Sequence, residues 1–295
     1  MLGFDFFVGI DWSGAKGNAH RGISVFICEA GTALPRKIDP PQEKRAFSRG
    51  DVIDLLQSVS KRGRVLAGID FAFAYPVDEA GHYFSNLSGA ANPQSAPALW
   101  QLVDNVNADA PDYYGGLMWD DAHYGPYYNA PNGRKGTRFR SSRRATERAA
   151  SAVKSPSPTF NCVGPAGVGT GSLAGMRLCH ALAGEAEIWP FIHRPEATLT
   201  LVEIFPSYYF KCAGVNPVKG AQAKPEFLNQ ALRFYHCADV GDDFIAAGPD
   251  HDDADALIAA AALRALYSDK NSWQVPALAS REGWIFGVKS AKTPS

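Results

Sequence analysis

The chain has 295 residues, 46% of them hydrophobic and 20% charged, a composition that supports a buried core and excludes a disordered or collagen-like chain. Its formal net charge of -1 supplies no overall attraction to polyanions, so any contact with phosphate must come from a local basic patch. The five cysteines (Cys28, Cys162, Cys179, Cys212, Cys237) lack Cys-x-x-Cys spacing, which excludes a disulfide framework or zinc ribbon and points to a reducing, cytoplasmic setting.

The opening run, Met1-Leu-Gly-Phe-Asp-Phe-Phe-Val-Gly-Ile10, has no basic leader and reaches Asp11 before any small-residue cleavage site, so it reads as strand and not as signal peptide. No run reaches membrane-spanning length. Residues 4–10 and 22–28 are β-branched and aromatic and are predicted to pair as antiparallel strands. Val52, Leu55, Leu56 and Val59 have helical spacing over 51–60, and 65–69 follows as an apolar strand. From 75 to about 171 the periodicity fades and Gly, Pro, Asn, Tyr and Trp dominate, which predicts a long irregular insertion. Helices are then predicted at 173–182, 225–234 and, rich in alanine, 252–267, with strands at 199–204 and 284–288. With no repeat and no linker, the expectation is one α/β domain over 1–295, a mixed sheet flanked by helices.

Two phrases echo each other. Asp11 closes the first strand in Val8-Gly-Ile-Asp-Trp-Ser-Gly14, and Asp70 closes the strand after the first helix in Ala67-Gly-Ile-Asp-Phe-Ala72. A carboxylate at the carboxyl end of a strand faces the crevice where open α/β sheets place ligands, although each Asp alone also suits a turn or a helix cap. A third element, His251-Asp-Asp-Ala-Asp-Ala-Leu257, sets Asp252 and Asp255 three apart on one helical face, with Asp252 also suited to be an N-cap. Glu203, before Pro206, reads equally as a ligand or as a structural strand-end residue. Ser13 reads as a turn hydroxyl, because no histidine is placed to activate it. His251 reads as a proton shuttle or as a polar residue preceding the helix.

Residues 134–148 hold seven basic residues against one acidic. Arg134, Lys135, Arg138, Arg140, Arg143 and Arg144 are expected to meet a nucleic-acid backbone, with Phe139, Tyr113, Tyr114, Trp119, Tyr124, Tyr127 and Tyr128 offering stacking surfaces. A solvated loop is the alternative. Gly164-Pro-Ala-Gly-Val-Gly-Thr-Gly-Ser172 precedes a helix and reads as a phosphate-receiving N-terminus or as a flexible lead into it; it lacks the Gly-Lys-Ser/Thr ending of a P-loop.

Carboxylates in the order strand, strand, helix resemble the RNase H-like nuclease superfamily. Asp252-Asp-Ala-Asp-Ala-Leu257 is similar to the Asp-x-x-Asp-Ala-Leu opening of the last catalytic helix in RuvC-type Holliday-junction resolvases. More closely, the chain resembles the family catalogued as domain of unknown function 429, through Gly9-Ile-Asp-Trp-Ser-Gly14, Gly68-Ile-Asp-Phe-Ala72, Trp189-Pro-Phe191, Val202-Glu-Ile-Phe-Pro206, the helix opening at Asp252, and Glu282-Gly-Trp-Ile285. The resemblance implies an RNase H-like mixed sheet with Asp11 as the bridging metal ligand, Asp70 as its neighbour, and Asp252 or Asp255 completing the set. At position 70 the superfamily often has Glu, so Asp70 has a shorter reach. The expected catalytic residues are therefore Asp11, Asp70, Asp252, Asp255 and Glu203. Their hard oxygens suit Mg²⁺ or Mn²⁺, and the implied activity is two-metal hydrolysis of nucleic acid, DNA or RNA. Two other readings stand beside it. Gly9-Ile-Asp-Trp-Ser-Gly-Ala-Lys16 resembles the first phosphate loop of ATP-dependent phosphotransferases of the actin and sugar-kinase group, and the fold could also serve a non-catalytic nucleic-acid-binding module.

Overall fold

The period-two alternation of the first strand decides the layering. In β1 (Phe6–Asp11), Phe6, Val8 and Ile10 belong to one core cluster, while Phe7 belongs to a second on the opposite face of the sheet. The same split recurs in β4 (Val65–Ile69), where Val65, Ala67 and Ile69 face the first cluster and Leu66 the second. The computed structural model describes residues 3–31, 33–87, 89–164, 167–216, 223–249 and 251–290, so Met1 and Leu2 of the opening run and Pro165 and Ala166 of the glycine-rich segment lie outside the described residues.

The described residues form a mixed six-stranded sheet flanked by helices, in the order β3-β2-β1-β4-β6-β5. Here β2 is Ser24–Glu29, β3 Arg36–Lys37, β5 Glu187–Ile188 and β6 Leu199–Glu203. As expected, β1 pairs antiparallel with β2, which continues antiparallel to β3; the other half of the sheet, β1-β4-β6-β5, is parallel throughout. One face carries α1 (Arg49–Ser60), α2 (Ala96–Val106) and α4 (Val168–Leu182). The other carries α5 (Pro206–Cys212), α6 (Pro225–Phe234) and α7 (Asp252–Leu266). Two short helices, α3 (Ala145–Ala150) and α8 (Ala279–Glu282), pack against each other at the edge. Among the described residues no helix is long and apolar enough to cross a membrane, and no disulfide forms.

Three expectations need correcting. The insertion is not irregular throughout: Ser95 caps α2 by accepting from the Ala98 amide at 3.3 Å, and Ala96, Leu99, Trp100 and Val103 bury one helical stripe. Three of the tyrosines offered for stacking are core, since Tyr124, Tyr127 and Tyr128 pack with Tyr75, Phe84 and Phe160 and are buried, whereas Tyr113 and Tyr114 are half-buried. Residues 284–288 do not form a strand. Gly283 and Gly287 take φ of 78° and 80°, which no extended run tolerates, and only Ile285 bridges to Glu203.

Candidate functional site

The β1–β4 register pairs Ile10 with Ile69 in parallel, and the Asp70 amide donates to the Ile10 carbonyl at 3.0 Å. One step further along both strands, Asp11 and Asp70 stand side by side, separated by the roughly 4.8 Å of adjacent strands. The two glycines of the Gly-Ile-Asp phrases explain what lies above them. Glycine and aspartate are two apart and share a face, the face covered by α7. A Cβ at Gly9 would come closer than 3.0 Å to the Ala256 carbonyl, the Ala260 amide and the Ala259 Cβ, and one at Gly68 would meet Ile204 and Leu263 equally closely. The alanine-rich helix therefore lies at backbone contact on β1, and its first turn brings Asp252 and Asp255 to Asp11.

Asp253 clasps that end of α7 in place. It accepts from Ser24 Oγ at 2.7 Å, from Lys37 Nζ at 2.8 Å and from the Ala247 amide at 3.0 Å, which ties the helix start to β2 and β3. The helix cap is His251, at φ 65°, and not Asp252 as the sequence suggests; its side chain makes no capping bond. The loops leaving the strands are docked on α4. Trp12 Nε1 donates to the Gly171 carbonyl at 3.1 Å, a Cβ at Gly14 would collide with Thr170 and Gly171, and Ser172 Oγ accepts from the Ala72 amide at 3.2 Å. Ser13 Oγ accepts from the Ala15 amide, a turn hydroxyl as expected.

The sequence reading missed Arg49. Its fully buried guanidinium donates to the carbonyls of Ser13 (2.8 and 3.0 Å), Ala15 (2.6 Å) and Asp112 (2.7 Å), so it shapes the loop that follows Asp11. Asp112 in turn receives the amides of Arg49 and Gly50 at the start of α1 and a bond from His20 at 2.8 Å. Burial lowers the Arg49 pKa to about 10, against the opposing charge of Asp112. Nothing local marks this arginine, because its partners lie in distant loops.

Electrostatically, Asp11 and Asp70 are the outstanding groups. Burial first, then the charges of Asp255 and Asp70 and a hydrogen bond with Asp252, raise the Asp11 pKa well above the ordinary carboxylate value. Burial, Asp255 and then Glu203 do the same to Asp70. Both keep a sliver of surface open to the clefts beside them while being otherwise surrounded by protein. Elsewhere the buried carboxylates of Asp51, Asp253, Glu147 and Glu203 each lie against a lysine or arginine. Among the described residues Asp11 and Asp70 have no such partner, and burying charge uncompensated costs stability. By type and convergence Asp11, Asp70, Asp252 and Asp255 suit a hard divalent ion. Among the described residues, however, no three His, Cys, Asp or Glu side chains are already closed to metal-holding spacing.

Glu203 does not join them. The register pairs Ile69 with Glu203, so Glu203 shares the face of Ile69, opposite to that of Asp70. There both its oxygens are taken: Oε2 accepts from Arg144 Nη1 at 2.7 Å and from the Phe73 amide at 3.1 Å, and Oε1 accepts from Arg144 Nη2. Arg144 is correspondingly lost to the basic surface. It is 1% exposed, bonded also to Glu147 at 2.8 Å and to the Glu282 carbonyl at 3.0 Å, a buried strut and not a phosphate contact. Arg134 is exposed but paired with Asp120, and half-buried Arg143 donates to Ser155. Lys135, Arg138 and Arg140 remain exposed; Lys135 lies 5.6 Å over the Phe139 ring, while Arg138 and Arg140 line a cavity of about 760 Å³ together with Asp78 and Glu79.

Two clefts flank the acidic cluster, one of about 500 Å³ reaching Asp70 and one of about 370 Å³ reaching Asp11 and Asp252, and Trp12 lines both. No family model, curated protein or solved structure matches the chain.

Proposed function

We propose that the chain is a divalent-metal-dependent nuclease, or related phosphodiesterase, of the RNase H-like kind and of the domain of unknown function 429 family. In this reading Asp11, Asp70, Asp252 and Asp255 hold Mg²⁺ or Mn²⁺ and nucleic acid is the substrate. The observation that carries it is the pair Asp11 and Asp70, set side by side at the ends of adjacent parallel strands, facing two acidic residues of α7 and lacking any basic partner among the described residues. Like charges gathered in one place repel one another, and a cation is what would relieve that repulsion. A divalent ion held there would supply Lewis-acid polarisation and charge neutralisation at a phosphodiester. The chain's own residues do the positioning: Arg49 and α4 fix the loops after Asp11 and Asp70, Asp253 fixes the start of α7, and the clefts on both sides of the cluster leave room for a polynucleotide to pass. Exposed Arg138 and Arg140 supply local positive charge.

The test is cleavage of single- and double-stranded DNA and RNA with EDTA, Mg²⁺ or Mn²⁺, alongside calorimetric titration of each ion. Wild type should cleave only with a divalent ion, and Asp11→Asn and Asp70→Asn should abolish both cleavage and ion uptake. Full activity in Asp11→Asn, or no ion binding by wild type, would sink the reading.

A further inference from the structure

Residues 12–23 join β1 to β2, a connection far longer than the roughly two to five residues of an ordinary hairpin loop. It is tied down near both ends. Arg49 holds the carbonyls of Ser13 and Ala15, and buried His20 donates its amide to the Phe47 carbonyl at 2.8 Å and bonds Asp112 through its ring at 2.8 Å. Beside these anchors Lys16 and Arg21 are exposed, and both line the cleft of about 370 Å³ that reaches Asp11 and Asp252. Among the described residues neither side chain makes an ion pair or a hydrogen bond. The loop is therefore held by its other residues, and the fold has no evident use for these two charges. Nor do they neutralise the acidic cluster, since the charges that act most strongly on Asp11 are those of other carboxylates. The cleft is divided by charge: Asp252 is 7% exposed, while the two cations stand in solvent. That order suits a polyanion with one phosphate at an ion held by the acids and its neighbours on the ammonium and the guanidinium.

We propose that the β1–β2 loop is a nucleic-acid backbone contact, in which Lys16 and Arg21 receive phosphates of the strand that passes Asp11. That the strand is cut at Asp11 rests on the nuclease reading; its binding to the loop does not.

The probe is a fluorescein-labelled single-stranded oligonucleotide, titrated with the full chain in EDTA across a salt series and followed by anisotropy. The double variant Lys16→Ala, Arg21→Ala should bind about tenfold more weakly at low salt, and the slope of log affinity against log salt should fall by about 1 for each residue removed. Lys16→Arg with Arg21→Lys keeps both charges and should keep the slope. Lys61→Ala is the control: this exposed lysine caps the far end of α1, about 18 Å along the helix from Arg49, and its loss should leave the slope unchanged. Because the substituted side chains are exposed and unpartnered among the described residues, each variant should melt with wild type. If the double alanine variant keeps wild-type affinity and slope, if Lys61→Ala loses as much as it does, or if wild type binds no oligonucleotide, the loop contact is overturned. If the double alanine variant loses binding while Asp11→Asn retains full cleavage, the contact stands and the nuclease mechanism falls.

Discussion

Gly9 lies in backbone contact with Ala256: any Cβ at Gly9 would come closer than 3.0 Å to the Ala256 carbonyl oxygen. This contact sets the height of α7 above the sheet and hence the distance at which Asp252 and Asp255 meet Asp11. Gly9→Ala cannot be absorbed by a side-chain rotation, since the atoms it meets include the α7 backbone. Overpacking of this kind costs about 1–3 kcal/mol, and the backbone contacts put this site at or above the upper end. Urea unfolding should show that loss, while Gly184→Ala, where a Cβ meets nothing within 4 Å, should stay within about 0.5 kcal/mol of wild type. An unshifted midpoint for Gly9→Ala would mean that α7 does not sit where described.

Arg144 should behave as a structural residue and not as a ligand contact. Removing it leaves Glu203 and Glu147 buried without their cation, and breaking a buried pair from one side costs about 3–5 kcal/mol. Arg144→Ala should therefore lower the melting temperature sharply, whereas Arg140→Ala on the exposed part of the same segment should not. Equal melting temperatures for the two variants would contradict the buried strut.

The acidic pairing was legible because a period-two strand needs only the spacing within Gly-Ile-Asp to show that glycine and aspartate share a face. Glu203 was misplaced for a related reason. Its own strand tells which neighbours share its face, but only the register, Ile69 opposite Glu203, tells that this is the face away from Asp70. Arg144 is indistinguishable from Arg143 by composition. What buries it are Glu203 and Glu282, 59 and 138 residues away in sequence. Helix α2 is different: Ser95, Pro97 and the stripe Ala96, Leu99, Trp100, Val103 form a complete helical signal, hidden only by the irregular composition on either side.

If Arg138 and Arg140 meet a nucleic-acid backbone, each should contribute a counterion-release increment. The double variant Arg138→Ala, Arg140→Ala should bind a single-stranded oligonucleotide more weakly and reduce the slope of log affinity against log salt by about 1 per residue. The measurement is fluorescence anisotropy across a salt series without divalent ions. A slope equal to that of wild type would reduce these arginines to solubilising charge.

The last prediction concerns the metal-free site, where Asp11 and Asp70 are both raised well above the usual carboxylate range by burial and by neighbouring carboxylates. A carboxyl group whose folded pKa exceeds its unfolded value of about 3.9 binds protons more tightly when folded. Its contribution to stability is fully present below the unfolded value and is lost as pH rises through the folded one. In EDTA, wild type should therefore be least favoured at this site near neutrality and should recover part of the loss on mild acidification, and Asp11→Asn should flatten that dependence while raising the neutral-pH melting temperature. A divalent ion bound only by the folded state should stabilise wild type at neutral pH by about 2.7 kcal/mol at a hundredfold excess over its dissociation constant. Asp11→Asn should lose that gain, because one of the ion's ligands is gone. Melting curves of wild type, Asp11→Asn and Asp70→Asn across pH, each with EDTA, Mg²⁺ and Mn²⁺, measure both effects. Opposite slopes for the two effects are the signature of a carboxylate cluster built around a cation: acid and metal relieve the same repulsion, so either one should remove most of the benefit of the other. A wild type that gains nothing from millimolar Mg²⁺ or Mn²⁺, with a pH dependence unchanged in Asp11→Asn, would show that the cluster is neither strained nor a metal site.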